Sequence, residues 1–197
     1  MNKSLNLETL EESGIDAALD RRLREHLRRC FPDSPDKFQD RRVWHNVSPE
    51  YTVVLREKSG DPNIPAAVVG HVGVVIRTIT TTWNWRYNVA SFQGVSVAEE
   101  YRREGLAARM IQCALDEAYR RGYLYAVLFC KEEMVPFYLK LGWRLTDDSV
   151  VMRNEQDNPI RMRSNCPMYK ELTMQTFPEG PVDVHTPERV GMAKTKN

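Results

Sequence analysis

The stretch from Arg86 to Cys130 constrains the fold more than any other part of the chain. Arg86 to Val97 reads as a strand. Leu106 to Arg121 reads as a helix, because Leu106, Met110, Cys113, Ala114 and Ala118 recur along one side of it. Gly122 stops that helix. Tyr123 to Cys130 is a continuous apolar run, the pattern of a strand covered on both faces. A helix joining two neighbouring strands of one sheet makes them parallel, with a right-handed crossover.

The segments upstream fit around that unit. Ile15, Ala18, Leu19, Leu23, Leu27 and Cys30 form an apolar stripe at helical spacing from about Asp16, and Phe31-Pro32 ends it. Arg21, Arg22, Arg24, Arg28 and Arg29 occupy much of the remaining surface, as a solvated face or as a contact for an acidic partner. Ser34-Pro35 predicts a second short helix through about Trp44. Tyr51–Arg56 and Ala67–Thr80 read as strands, with Ser59-Gly60-Asp61-Pro62 as a turn. Their short connections predict an antiparallel meander. Downstream, Glu132–Leu141 is a short helix with Pro136 in its first turn. Trp143–Arg153 and Met168–Thr176 read as strands and Asn154–Ser164 as a loop.

The expected fold class is α+β: a mixed, mostly antiparallel central sheet with helices on both faces. Its length of 197 residues suits one domain, with residues 1–13 and 187–197 expected as flexible tails. A formal net charge of +1 argues against nucleic acid as the main partner. No apolar run reaches the roughly 20 residues that span a bilayer, and the polar start of the chain carries no signal core, so no membrane and a cytoplasmic location are expected. Cys30, Cys113, Cys130 and Cys166 form no CxxC pair, which predicts reduced thiols and no metal.

The chemistry concentrates at Val95-Ser96-Val97-Ala98-Glu99-Glu100-Tyr101-Arg102-Arg103-Glu104-Gly105-Leu106-Ala107-Ala108. A strand passes through a loop into the first turns of a helix. Those turns expose unpaired backbone N–H groups and the positive end of the helix dipole, a site for phosphate or pyrophosphate. Gly105 and Ala107 let an anion approach the backbone, and Arg102 and Arg103 add charge. The same residues also fit an ordinary loop with surface arginines.

Arg102 to Ala107 matches R/Q-x-x-G-x-G/A, and Phe137-Tyr138-Leu139-Lys140-Leu141-Gly142-Trp143 matches a short helix ending in FYxxxGF. In these motifs and their spacing the chain resembles the GNAT superfamily of acyl-coenzyme A dependent N-acetyltransferases, specifically from about Val89 to Trp143. The resemblance implies a splayed parallel strand pair near Val95–Val97 and Leu124–Phe129. Pantetheine would pair with the backbone of Val95 and Val97 as an added strand does. Arg102, Arg103, Glu104, Gly105, Leu106, Ala107 and Ala108 would form the pyrophosphate loop of acetyl-CoA, the cosubstrate. The acceptor amine would attack the thioester directly in a ternary complex, a backbone N–H near Val97 would stabilise the oxyanion, and Tyr138 would protonate the departing thiolate.

Two positions depart from the family pattern. Gln93 stands where some relatives carry an acidic base, and Lys131 where many carry Asn. An amide takes no proton at neutral pH, so the base stays open among His45, His71, a water relay, or an amine that arrives neutral. Glu99 and Glu100 read as solvated.

Thr176-Phe177-Pro178-Glu179-Gly180-Pro181-Val182-Asp183 resembles the closing segment of a branch similar to aminoglycoside 2'-N-acetyltransferases and nodulation-factor N-acyltransferases. It fits equally a Pro/Gly-rich segment packed along an edge strand. The branch implies a small-molecule amine acceptor such as an amino sugar. Asp147, Asp148 and Asp183 are candidate carboxylates for a cationic acceptor. Trp44, Trp83, Trp85 and Tyr87 are candidate walls, and a Trp-rich hairpin tip equally suits a homodimer contact. Transfer of a longer acyl chain and a non-catalytic acyl-CoA binding module are the alternative functions.

Overall fold

The computed structural model describes residues 4–44, 47–58, 65–81, 83–146, 150–153, 159–160 and 165–185. The chain forms two compact units, Met1–Val75 with Gln93–Glu117, and Ile76–Phe92 with Ala118–Asn197.

In the first unit, β1 (Leu5–Glu11) pairs antiparallel with β2 (Tyr51–Glu57). Strand β2 pairs antiparallel with β3 (Ala67–Thr81), with a register shift between Leu55 and Arg56. The sequence reading placed Leu5–Glu11 in a flexible tail, and the ladder corrects it. This strand is half exposed along nearly its whole length, so it carries no hydrophobic run to announce it. Its backbone is satisfied by β2, and Glu8 pairs with Arg56 across that ladder.

Helix α1 (Ala17–Cys30) starts where expected. The Asp16 side chain accepts the Leu19 N–H at 2.7 Å, an N-cap that satisfies one orphan donor. Leu19 and Leu23 pack on Val54 and Val68. The helix expected through Trp44 is only a 3-10 turn, Pro35–Phe38. Phe31, Phe38 and Trp44 pack on one another with ring centroids 4.9–5.5 Å apart. The Trp44 N–H donates to Gln93 Oε1 at 3.2 Å instead of to a helical carbonyl. Strand β4 (Arg86–Val97) leads through a loop into α2 (Leu106–Arg120), which Tyr51 ties down by donating to the Ala114 carbonyl at 2.7 Å.

The second unit carries β5 (Tyr125–Cys130), β6 (Arg144–Leu145), β7 (Val150–Arg153), β8 (Pro159–Ile160), β9 (Cys166–Glu171) and β10 (Val182–His185). The strand order is β6-β9-β5-β4-β3-β10-β7-β8. The sheet is mixed and mostly antiparallel, and β4 and β5 are parallel, as the crossover argument requires. A second parallel pair, β7 with β10, has no counterpart in the sequence reading. Trp143–Arg153 is not one strand: Arg144–Leu145 and Val150–Arg153 lie far apart in the strand order. The turn expected at Ser59–Pro62 and the tail from 187 lie outside the described residues. Ile79, Val89, Tyr125, Val127, Phe177, Val182 and Val184 form the core of this unit.

Two buried arginines have opposite surroundings. Arg42, 4% exposed, donates to Glu12, to Asp20 at 2.7 Å and to Thr52 Oγ1 at 3.2 Å. Arg77, 1% exposed, has no hydrogen-bond partner for Nε or Nη1 among the described residues, and burial lowers its pKa to about 10. Removing a partnered buried charge strands its partners, whereas replacing an uncompensated one relieves desolvation. Arg42→Met should therefore cost about 3 kcal/mol, and Arg77→Met should be neutral or stabilising by about 1 kcal/mol, as read by urea unfolding.

Candidate functional site

The first unit contains the anion-binding candidate. Val97 is followed by the 3-10 turn Glu99–Tyr101 and then by Arg102 in extended geometry. Arg103 has φ +69° and Gly105 has φ +73°. Left-handed residues in so short a loop turn successive amides toward one side, the geometry of an anion nest. A side chain rarely adopts the Arg103 conformation, so the fold holds a strained residue at this point. A Cβ on Gly105 would meet nothing within 4 Å, so the space beside this backbone is open. The Arg109 N–H bonds the Gly105 carbonyl at 3.1 Å as the first helical bond, which leaves the N–H groups of Leu106, Ala107 and Ala108 without helical partners. Arg102 Nε donates to the Val97 carbonyl at 3.1 Å and ties the loop to the strand end. Arg102, Arg103, Glu104 and Gly105 are exposed, Ala107 and Ala108 half-buried, and Leu106 buried. Val95 is half-buried and Val97 buried. The parallel ladder ends at Phe92↔Leu128, although both strands continue.

The second unit holds Tyr138, in the helix α3 (Val135–Lys140), which follows a 3-10 turn at Glu132–Met134. Pro136 lies in the first turn, as expected. Lys131 caps the 3-10 turn through its carbonyl, which accepts from Met134 at 2.9 Å. Tyr138 is 6% exposed and packs edge-on against Phe137 and Trp143. Trp143 in turn packs edge-on against Phe92. Burial, and then the neighbouring Cys130, push the phenol above its ordinary value of 10, so it holds its proton throughout the neutral range. Gly142 has φ +77°, and Lys170 bonds the adjacent Leu141 carbonyl at 2.8 Å.

The remaining candidates separate. His45, Asp147 and Asp148 lie outside the described residues. Asp183 lies in β10 opposite Thr80. Glu99 and Glu100 are exposed, as expected. Of the four aromatics, Trp44 in the first unit packs with Phe31 and Phe38; in the second unit Tyr87 packs edge-on against Tyr125, and Trp83 and Trp85 are exposed in the β3–β4 turn. Among the described residues no group of three or more His, Cys, Asp or Glu is placed to hold a metal ion.

The sequence reading missed the polar cluster beneath β4. Gly94 has φ +60° in mid-strand, the mark of a glycine bulge. Its carbonyl accepts His71 Nδ1–H at 2.9 Å and Ser96 Oγ–H at 3.1 Å. His26 Nε2 lies 3.1 Å from Ser96 Oγ, and Cys30 Sγ lies 3.6 Å from that same nitrogen. His71 is fully buried, and its Nε2 has no hydrogen-bond partner among the described residues. Burial lowers the pKa of His71 to about 3 and that of His26 to about 4. Both imidazoles are neutral at pH 7, and a base held that low takes no proton from an amine at neutral pH. The unfolded chain binds these two protons near pH 6.5, whereas the folded one does not until pH 3–4. Stability should be full above pH 6.5 and fall as pH drops from there. Thermal unfolding across pH 4.5–7.5 should follow that slope, and His26→Gln should flatten it.

Residues 12–146 match the family described as an acetyltransferase (GNAT) domain. No curated protein matches the chain. The fold is similar to that of the GNAT family N-acetyltransferase YhbS of Escherichia coli, solved in complex with CoA, at 16% identity and TM-score 0.59, over 96% of this chain and 92% of that one. It is also similar to an acyl-CoA N-acyltransferase from Pseudomonas aeruginosa, at 14% identity and TM-score 0.58, over 85% and 99%. An aminoglycoside 6'-N-acetyltransferase complexed with coenzyme A matches at 14% identity and TM-score 0.55, over 87% and 99%. With the family match covering well over half of the chain, and a β4–loop–α2 arrangement of the kind those motifs specify, this protein belongs to the GNAT acetyltransferases.

Proposed function

We propose that the chain acts as a single acetyltransferase domain that transfers an acetyl group from acetyl-CoA to a primary amine of a small molecule. The observation that carries this reading is the Arg102–Ala108 loop, with two left-handed residues, open space at Gly105 and helical amides without helical partners. That arrangement suits a pyrophosphate. The residues fit coenzyme A: Arg102 to Ala108 would hold its pyrophosphate, and the backbone of Val95 and Val97 would pair with its pantetheine arm.

In the reaction the neutral amine attacks the thioester carbonyl carbon. The C–N bond forms, the C–S bond breaks, the amine gives its extra proton to water, and the thiolate takes one from Tyr138. A phenol raised above its ordinary pKa suits a donor that must arrive protonated. His71 is too deeply buried and too weakly basic to serve as the base, which favours an amine that arrives neutral or a water relay. An amino sugar is our choice of acceptor class. It rests on the closing segment Thr176–Asp183 and on the likeness to an acetyltransferase of aminoglycosides. We place the reaction in the cytoplasm.

Calorimetric titration with acetyl-CoA tests the cosubstrate. Saturable binding is expected, weakened at least about tenfold by Gly105→Glu, which sets a negative charge in the anion nest. Thiol release across a panel of small amines, amino sugars included, tests catalysis. Tyr138→Phe keeps the ring packing and should lower kcat about 100-fold with the acetyl-CoA KM little changed. The wild-type rate should show no loss from phenol ionisation up to about pH 10. Binding without turnover on any amine would support the non-catalytic module instead.

A further inference from the structure

Gly94 is fixed in three ways at once. Its φ of +60° lies in the left-handed region. A Cβ there would sit 3.2 Å from His71 Cε1 and Nδ1 and 3.2 Å from Leu27 Cδ2, tighter than side-chain contacts normally are. Its carbonyl accepts two hydrogen bonds from buried donors, His71 and Ser96. Because Nδ1 of His71 donates, the neutral ring here is the Nδ1–H tautomer. Because the Ser96 hydroxyl proton goes to Gly94, His26 donates Nε2–H to Ser96 Oγ. The chain His26 to Ser96 to the Gly94 carbonyl, met from the other side by His71, uses both lone pairs of that oxygen.

A trans peptide is planar, so its C=O and the following N–H point in opposite directions. Holding the Gly94 carbonyl against His71 and Ser96 therefore aims the Val95 N–H away from them. An extended residue at 94 would point that N–H along the ladder instead.

We propose that His71, Ser96 and His26 are positioning residues that fix the Gly94–Val95 peptide so that the Val95 N–H receives the thioester carbonyl oxygen as it becomes an oxyanion. This rests on the acetyl-CoA reading above; it takes the Val95 N–H, rather than one nearer Val97, as the oxyanion donor, and leaves only the Val95 carbonyl, with Val97, to pair with the pantetheine arm. Fixed donors of this kind raise kcat without tightening substrate binding, because the charge they meet appears only in the transition state. Neither histidine touches substrate. Both act through one peptide plane, each as a hydrogen-bond donor.

Amide NMR on the wild-type protein tests the donor directly. The Val95 amide should shift with acetyl-CoA and much less with CoA, which lacks the carbonyl, while amides of Arg102–Ala108 shift with both. A Val95 amide that moves equally with both ligands, or not at all while the loop amides respond, overturns the proposal. Loop amides silent to both ligands would overturn the acetyl-CoA reading, and this inference with it. Kinetics test the clamp. His71→Leu should lower kcat about tenfold, the worth of one hydrogen bond, with acetyl-CoA KM within about threefold. His71→Asn, whose amide N–H can reach the same oxygen, should recover most of that loss. Ser96→Ala, a smaller change to the core, should lower kcat by several-fold. Unchanged kcat in folded His71→Leu and Ser96→Ala, or a loss confined to KM, rejects the positioning role.

Discussion

The Gly94 carbonyl accepts two hydrogen bonds inside a buried cluster, and the course of β4 depends on both. A strand that stayed regular through residue 94 would have no reason to leave its ladder there. With Gly94 left-handed and its oxygen held by His71 and Ser96, the strand bends beyond Gln93 and runs on to Val97. There Arg102 takes the Val97 carbonyl and starts the loop that carries the left-handed Arg103 and Gly105. Each step is short-range, and each sets the direction of the next.

Residues of ordinary chemistry are held in unusual states in the first unit. Two imidazoles are kept neutral by burial, and a non-glycine residue, Arg103, is kept left-handed. Strain of this kind persists only where the surroundings over-determine it. In the first unit those surroundings include α1, capped by Asp16 and packed on β2 and β3 through Leu19 and Leu23. Gln93 adds a tie to Trp44, so the residue standing where some relatives carry an acid here anchors the Phe31–Trp44 segment.

The parts of the fold legible in the sequence are those written in local patterns. The α1 stripe from about Asp16, the α2 stripe and the continuous apolar run of β5 are each written in residues a few positions apart, and each element formed where its pattern placed it. Strand β1 was not legible, because a half-exposed strand of mixed polarity draws its stability from a ladder with residues forty or more positions away. The helix expected to Trp44 failed because three aromatic rings gain more by packing together than the backbone gains by coiling. At the site, the strand–loop–helix course around Gly105 and Ala107 was legible in the local pattern, and the structure has it. The partnership of His71 with Gly94 could not, since one lies in β3 and the other in β4, and nothing in the sequence says which way a carbonyl turns.

The place of β10 has a consequence for how the chain assembles. Val182–His185 lies between β3 and β7, pairing with residues about a hundred positions earlier on one side and about thirty earlier on the other. The first unit is drawn entirely from residues up to Glu117. During synthesis, therefore, its residues are all available while the sheet still lacks an internal strand. Until β10 emerges, the edge of β3 from Thr78 to Thr81 stays unpaired and open to the wrong strand, the usual hazard of a late, long-range pairing.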